Sequence, residues 1–593
     1  MENTINQILR NVNEWGHTSS IRREDIPLFV YEMLYVIYSS RENNYELKID
    51  ETKNIFELIN QAIGINDKVK DSNKFQLLLD IENDLAKFKY VELDYVRLFK
   101  MLQEVDNNMI KEIVKVDLSE KFGLGYGSRG EFSTPIAINL LSRHLLDIKD
   151  RDNVLDMCSG VGSFLTEIAS NCNTSFMTGV DINPQSALIS KIRLSILTGK
   201  EDIIKITDAL TYEYGCKYDK IFCNYPFGLR IDNYKLGEIK NKKDLFYPWG
   251  NYAGGSSDWL FVNNVISLLE TNGKAIMIMP DGPLFKTADK NYKMDLLVGG
   301  MIESIIKLPQ NLLPSTAISV NLIVLSKKSN NELKFVDATK EFVKENFKNR
   351  LLVDNVISLI NGPDNDKVRT MKYTDILDND AILSVDNYVG QKEIVFHNPH
   401  KLSEYIIDRF RGYQMTSSQQ KELESPNGKY EVLTISDIDN GNISDSLTKI
   451  NIDDNKLDRY LVENGDIIIS SKGTRIKIAV AEIGDRKIIA NGNLIVLRID
   501  QKKLNPYYLE MYLNSSDGQA ILKQIQTGSV IISINPSRLE TITISTLPFE
   551  EQNKIANKYK SKQKQIALAQ DHIRKLENEL DNFYEDEIEV LFD

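Results

Sequence analysis

The stretch "VLDMCSGVGSFL", Val154 to Leu165, decides how the middle of the chain is read. Val154-Leu155 is the apolar end of a strand, Asp156-x-x-x-Gly160-x-Gly162 is a glycine-rich turn, and a helix is expected from about Ser163. Glycine has no Cβ and lets a backbone approach a ligand closely, and doubly wound sheets bind ligands at their carboxyl edge. Further along, "GVDINP" ends a strand at Asp181, where an acid can hold ribose hydroxyls. A third strand ends at Asp208 in "ITDAL", and a fourth, "KIFC", opens into Asn224-Tyr225-Pro226-Phe227-Gly228. Asn, Asp, Pro and Gly are ordinary turn residues, but a run of strands ending this way is more than punctuation. The spacing is not the GxGxxG that pyrophosphate requires, which points to an adenosine ligand without phosphates.

The same alternation of short apolar strands and helices runs from about 116 to 345 and predicts a mostly parallel, doubly wound α/β sheet. Residues 1–115 carry helix-period patterns such as "IPLFVYEMLYVIYS" and are expected to form a helical domain. Its "YELKID" holds a Glu46-x-Lys48 of the kind seen in metal-dependent nucleases, a tripeptide too common to weigh against a solvated face. Residues 346–398 are polar and are read as a connector. From 399 to 548, short strands with Gly, Asn and Asp turns predict a β-rich α+β domain. Residues 549–593 read as one helix whose Ile566, Ala569, Ile573, Leu576, Leu580 and Phe583 form a coiled-coil seam that needs a partner helix.

At 593 residues the chain is too long for a single core. No apolar run reaches bilayer-crossing length, and Met1 leads into polar sequence, so a cytoplasmic protein is expected. Cys158, Cys172, Cys216 and Cys223 lack metal-ligand spacing and read as reduced, buried thiols, with no metal site expected. The net charge of −13 argues against indiscriminate coating of nucleic acid but permits a local basic groove.

"DMCSGVGSF", "GVDINP", "TDAL" and "CNYPFG", in that order, resemble the motifs of S-adenosyl-L-methionine-dependent DNA adenine-N6 methyltransferases. "GSRGEFSTP" upstream and "DWLFVNNVISLLETNGKAIMIMPDGPLF" downstream resemble the modification subunits of type I restriction-modification systems, over about Phe122 to Lys328. From about 399, "LVENGDIIISSKGT", "ANGNLIVLR" and "TGSVIISINPSRLETITISTLPFEEQNKIA" resemble one target-recognition domain of a type I specificity subunit, with its helix. The resemblance implies a Rossmann-like class I methyltransferase core joined to half a specificity subunit. It implies that Gly160, Gly162 and Phe164 line the cofactor, that Asp181 holds its ribose and that Asp208 accepts from its adenine amine. Phe132, Thr134 and Pro135 would close over the methionine end, while Asp156 would either touch the sulfonium side or brace the turn.

The resemblance also gives "NYPF" a mechanism. The lone pair of an adenine amine is delocalised into the ring, and two acceptors can hold its N–H bonds out of conjugation: the Asn224 side chain and the Tyr225 carbonyl. Pro226 restricts Tyr225 to extended backbone, and Phe227 offers a stacking face to an extruded base. Two departures stand out. The family usually has proline at the position of Tyr225, a change expected to loosen the turn, and Met157-Cys158-Ser159 replaces Pro-Ala-Cys. C5 methylation is set aside because Cys223 follows Phe222 inside a strand and reads as packing.

For DNA contact, Lys472, Arg475, Lys477, Arg486 and Lys487 lie across an expected hairpin, and Arg230, Lys235, Lys240, Lys242 and Lys243 follow the catalytic strand. Expected partners are double-stranded DNA, a second copy or a specificity-subunit partner through the terminal helix, and a restriction subunit. The alternative is a catalytically weak recognition subunit serving a partner nuclease or translocase.

Overall fold

A computed structural model describes residues 2–44, 47, 59, 61, 72–87, 92–122, 134–174, 176–240, 257–313, 318–345, 348–390, 394–439, 441–452, 457–473, 476–527 and 533–592. Phe132, Arg475, Glu46, Lys48, Lys242 and Lys243 lie outside them. The chain divides into two compact units, residues 1–390 and 391–593.

The first unit is built on a nine-stranded sheet: β1 (Asn153–Asp156), β2 (Phe176–Asp181), β3 (Ile204–Ile206), β4 (Tyr218–Cys223), β5 (Leu269–Pro280), β6 (Ile302–Lys307), β7 (Val320–Ser326), β8 (Glu332–Asp337) and β9 (Val368–Lys372). Their spatial order is β9-β8-β6-β7-β5-β4-β1-β2-β3. The run β3-β2-β1-β4-β5 is parallel, and β7 is inserted antiparallel between β5 and β6. The order reverses at β1, and β1 lies directly beside β4, with Asp156 opposite Phe222. Every residue of β7 is buried, as expected for a strand covered on both faces. Because β7 runs against its neighbours, β6 ends at Lys307 on the same edge at which β7 begins at Val320.

Helices cover both faces. Asn183 caps the helix Pro184–Thr198 by accepting from the Gln185 and Ser186 amides, Pro184 fits its first turn, and Gly199 ends it in left-handed backbone at φ 73°. The N-terminal helices do not form a core of their own. Phe29, Val36 and Ile113 share one buried cluster with Leu188, Ile189 and Ile192 of that helix.

The expected connector is corrected as well. Residues 348–390 hold a strand, Lys348–Leu351, the helix Val353–Asn361, and β9, which pairs antiparallel with β8. An edge strand exposes about half its side chains, so its sequence reads as polar although Val368 is buried.

The second unit holds a four-stranded antiparallel sheet ordered Ile406–Arg411, Leu494–Ile499, Ile467–Ser470, Ile478–Val480, and a three-stranded sheet with Tyr430–Leu433 at its centre. The helix Phe549–Phe592 has its first turns packed in the unit's core through Gln552 and Ala556. Farther along, Ile566, Leu568, Ile573, Leu576 and Leu580 are exposed. Among the described residues no helix is long and apolar enough to cross a membrane, and no cluster of His, Cys, Asp or Glu is arranged to hold a metal. Of the four cysteines expected to be buried, Cys223 is; Cys158 and Cys172 are half-buried and Cys216 is exposed.

Candidate functional site

The glycine turn leaves β1 and is tied to both neighbouring strands. The Met157 amide donates to the Phe222 carbonyl of β4, and the Ser159 amide to the Val180 carbonyl of β2, each at 2.9 Å. Gly160 and Gly162 have φ of 51° and 76°, in the left-handed region that other residues avoid. The two glycines do different work. A Cβ on Gly162 would lie 2.3 Å from Ser190 Oγ, so that residue lets the helix Pro184–Thr198 close in from behind. A Cβ on Gly160 would meet nothing within 4 Å, so the front of the turn faces open space.

Asp181 ends β2 beside this opening. Its Oδ2 accepts from the Gly160 amide at 2.7 Å and its Oδ1 from the Asn183 amide at 2.8 Å. Asp208 accepts from the Leu210 amide at 2.8 Å and pairs with Lys235 Nζ at 2.8 Å. Lys235, expected to track DNA, is thus held on the sheet edge. Asp156 is 2% exposed at the foot of the turn, and its Oδ1 has no hydrogen-bond partner among the described residues. Burial, reinforced by the nearby Asp181 charge, holds its carboxyl well above the usual carboxylate range.

Phe164 departs from expectation. It is 1% exposed and stacks on Phe222 at 4.3 Å between ring centroids, with 19° between planes. As the second residue of the helix Ser163–Asn171 it points into the sheet, and it holds that helix to β4 rather than lining a cavity.

The loop after β4 stands next to the turn. The neighbouring Cys223 thiol and burial together push the Cys158 pKa well above its ordinary value. Asn224 Nδ2 donates to Thr134 Oγ1 at 2.9 Å, which turns the amide oxygen away from Thr134. Thr134 is itself fixed, its carbonyl accepting from Asn139 Nδ2 at 3.1 Å, and Pro135 leads into the helix Ile136–Leu146. Phe227 is half-buried between two core clusters, Pro226 is half-buried, and Arg230 is exposed.

Tyr225 is 2% exposed, and its side chain does not loosen the turn. Its hydroxyl donates to Asp258 Oδ1 at 2.8 Å, and its ring stacks on Phe261 at 4.8 Å and meets the Phe227 ring edge-on at 5.6 Å. Burial and the adjacent Asp258 both raise its pKa. Burial also raises that of Asp258, an effect the Tyr225 hydroxyl opposes.

Two sets of residues escaped sequence reasoning. Asp258 and Phe261, which anchor Tyr225, lie in the helix Asp258–Leu268. At the same sheet edge Lys307 bridges Asp281, at 3.3 Å, and Asp386, while Asn321 donates to Asp281 at 2.8 Å. "MPDG" and "IIKLP" are the strand-end signals that could have marked that cluster.

The expected basic hairpin is corrected. Lys472 and Lys477 lie at the turn between Ile467–Ser470 and Ile478–Val480, but Arg486 and Lys487 precede Ile488–Ala490, a strand of the other sheet. Lys477 donates to the Ile435 and Ile438 carbonyls, and Arg486 pairs with Glu431 at 3.4 Å, so these two cations brace the fold. Lys487 is exposed and Lys472 half-buried.

A glycine turn open at its front, with acids at the ends of the next two strands and an amide loop on the strand beside it, lies at the carboxyl edge of the sheet, where doubly wound folds bind their ligands. Residues 118–395 match the N-6 DNA methylase family and residues 412–578 the type I restriction modification DNA specificity domain. The chain thus carries an N-6 DNA methylase domain followed by a type I restriction modification DNA specificity domain. It is 25% identical over 425 residues to the type I restriction enzyme MjaVII methylase subunit of Methanocaldococcus jannaschii, spanning 64% of this chain and 71% of that one. It is 25% identical over 399 residues to the type I restriction enzyme MpnII methylase subunit of Mycoplasma pneumoniae, spanning 60% and 73%. A solved type I restriction-modification system methyltransferase subunit from Streptococcus thermophilus shares the fold over 66% of this chain and 99% of its own, with a TM-score of 0.51 at 18% identity.

Proposed function

We propose that the chain methylates the N6 amine of an adenine extruded from double-stranded DNA, taking the methyl group from S-adenosylmethionine and using its own C-terminal unit to choose the site. The observation that carries this reading is the neighbourhood of the 224–227 loop and the 160–162 turn at the ends of adjacent strands β4 and β1. The residues fit the cofactor: the open front of Gly160 leaves room for it, and Asp181 is already oriented by two backbone amides beside that opening. Gly160, Gly162, Asp181 and Asp208 would hold the nucleoside, with Thr134 and Pro135 at the methionine end. When bound, the cofactor supplies an electrophilic methyl group on a positively charged sulfur.

The protein's part is positioning. The Asn224 oxygen, aimed by the Thr134 bond, and the Tyr225 carbonyl accept the two N–H bonds of the amine and pull its lone pair out of the ring. Phe227 gives the base a face to stack on. No nucleophilic side chain is needed, because alignment supplies most of the acceleration.

Incubation of the protein with labelled S-adenosylmethionine and DNA should yield N6-methyladenine. Asn224→Ala should lower that yield by about a hundredfold or more, the scale of a lost alignment contact. Failure of the wild-type protein to make N6-methyladenine would overturn the reading. The exposed apolar stripe on the terminal helix supports pairing of two chains, whose two readers would recognise a split, two-fold-related site.

A further inference from the structure

Arg193 lies on the helix Pro184–Thr198 and is 1% exposed. A buried cation is ordinarily matched by a carboxylate, yet among the described residues Arg193 makes no ion pair. Its donors go to uncharged acceptors on two sides. Nη1 donates to the Val161 carbonyl at 2.7 Å and to Ser163 Oγ at 3.3 Å, both at the glycine turn. Nε donates to the Val114 carbonyl at 2.8 Å and Nη2 to the Lys115 carbonyl at 3.2 Å, both in the segment arriving from the N-terminal helices.

That segment is itself fixed. The Tyr31 hydroxyl donates to the Val116 carbonyl at 2.6 Å and accepts from the Leu118 amide at 3.1 Å, and the Tyr31 ring lies 5.7 Å from the Arg193 guanidinium carbon. Ser163 Oγ donates onward to Asp117 Oδ2 at 3.1 Å, closing the chain of contacts.

Val161 sits between two glycines with positive φ, the part of the chain least able to hold its own shape. We infer that Arg193 is a positioning residue for the cofactor turn, and that the N-terminal helices serve methyl transfer by fixing the Val161 carbonyl from behind through it. This rests on the reading that the turn holds S-adenosylmethionine. Arg193 does not touch the cofactor; it sets the backbone that does.

The test uses the full chain with Arg193→Met, Arg193→Lys and Ser163→Ala, each checked for its melting transition and titrated with S-adenosylmethionine by calorimetry. Folded Arg193→Met should raise Kd and KM for S-adenosylmethionine by about tenfold or more and lower kcat at saturating cofactor by less than about threefold. Arg193→Lys should fall between, since a lysine reaches only some of the carbonyls. Ser163→Ala, which removes one contact of the chain, should raise Kd about two- to threefold without moving the melting transition. A residue that merely filled the core would lower the melting temperature and the active fraction while leaving Kd unchanged in the folded protein, and that result would overturn the inference. If Arg193→Met does not fold, an unchanged Kd in Arg193→Lys and Ser163→Ala overturns it equally. If the wild-type chain does not bind S-adenosylmethionine, the fault lies in the reading of the turn, not in the role of Arg193.

Discussion

At position 225, proline and tyrosine are two answers to the one mechanical problem that the proposed mechanism sets: a backbone carbonyl must be aimed and kept still. Proline does it by closing a ring on its own backbone; Tyr225 does it by sinking a side chain between Phe261 and Phe227 and bonding Asp258. Tyr225→Phe should therefore lower kcat several-fold and cost about 1–3 kcal/mol, because a buried carboxyl loses its partner. Tyr225→Pro should lower methylation further by emptying the space beside Phe261, at a cost of about 3–5 kcal/mol. A large gain in methylation on restoring proline would instead show that the tyrosine is a defect. The strand-end residues Asp181, Asp208 and Asn224 were legible because turn chemistry is local. Asp258 was not, because a hydrogen bond to a residue more than thirty positions away leaves no trace in spacing. Phe164 was misread for a related reason: next to a glycine turn, an aromatic ring facing the cofactor and one facing the sheet have the same sequence.

Among the elements, the base of the terminal helix carries the clearest dependence on pH. Glu510, on the helix Pro506–Asn514, is fully buried; its Oε1 accepts from Gln563 at 2.6 Å, while Oε2 has no partner among the described residues. Burial pushes its pKa up to about 8, with Gln563 and Tyr559 opposing. An acid whose folded pKa lies above its unfolded value favours folding fully below the unfolded pKa. It loses that contribution as pH climbs through the folded one. The wild-type C-terminal unit should thus lose stability between about pH 5 and 8, and Glu510→Gln should flatten that slope in thermal melts. Equal pH profiles for the two proteins would refute this. The repeating strands and helices of the sheet were readable by period, but β9 was not. An edge strand half in water gives neither the buried run nor a clean alternation.

Across the whole molecule, two compact units share one chain, and a long helix ends the second with its apolar stripe in water. A lone helix cannot cover such a stripe. Removal of residues 565–593 should spare the helix base, including Gln563, and convert a pair of chains into single chains in sedimentation velocity. An unchanged sedimentation coefficient per chain mass would mean that the stripe has no partner helix. The spacing of apolar residues in the sequence is enough to reveal this stripe, because three-and-four periodicity is a property of one helix alone. The core shared between the N-terminal helices and the helix Pro184–Thr198 leaves no such mark, since helix-period patterns do not say which neighbour they face.

The reversed direction of β7 has its own outcome. The antiparallel pairing places the end of β6, at Lys307, and the start of β7, at Val320, on the same carboxyl edge at which β4 hands over to Asn224. A substitution at either of these strand ends is therefore made on the side of the sheet that carries Asn224, and the opposite edge is left as it was.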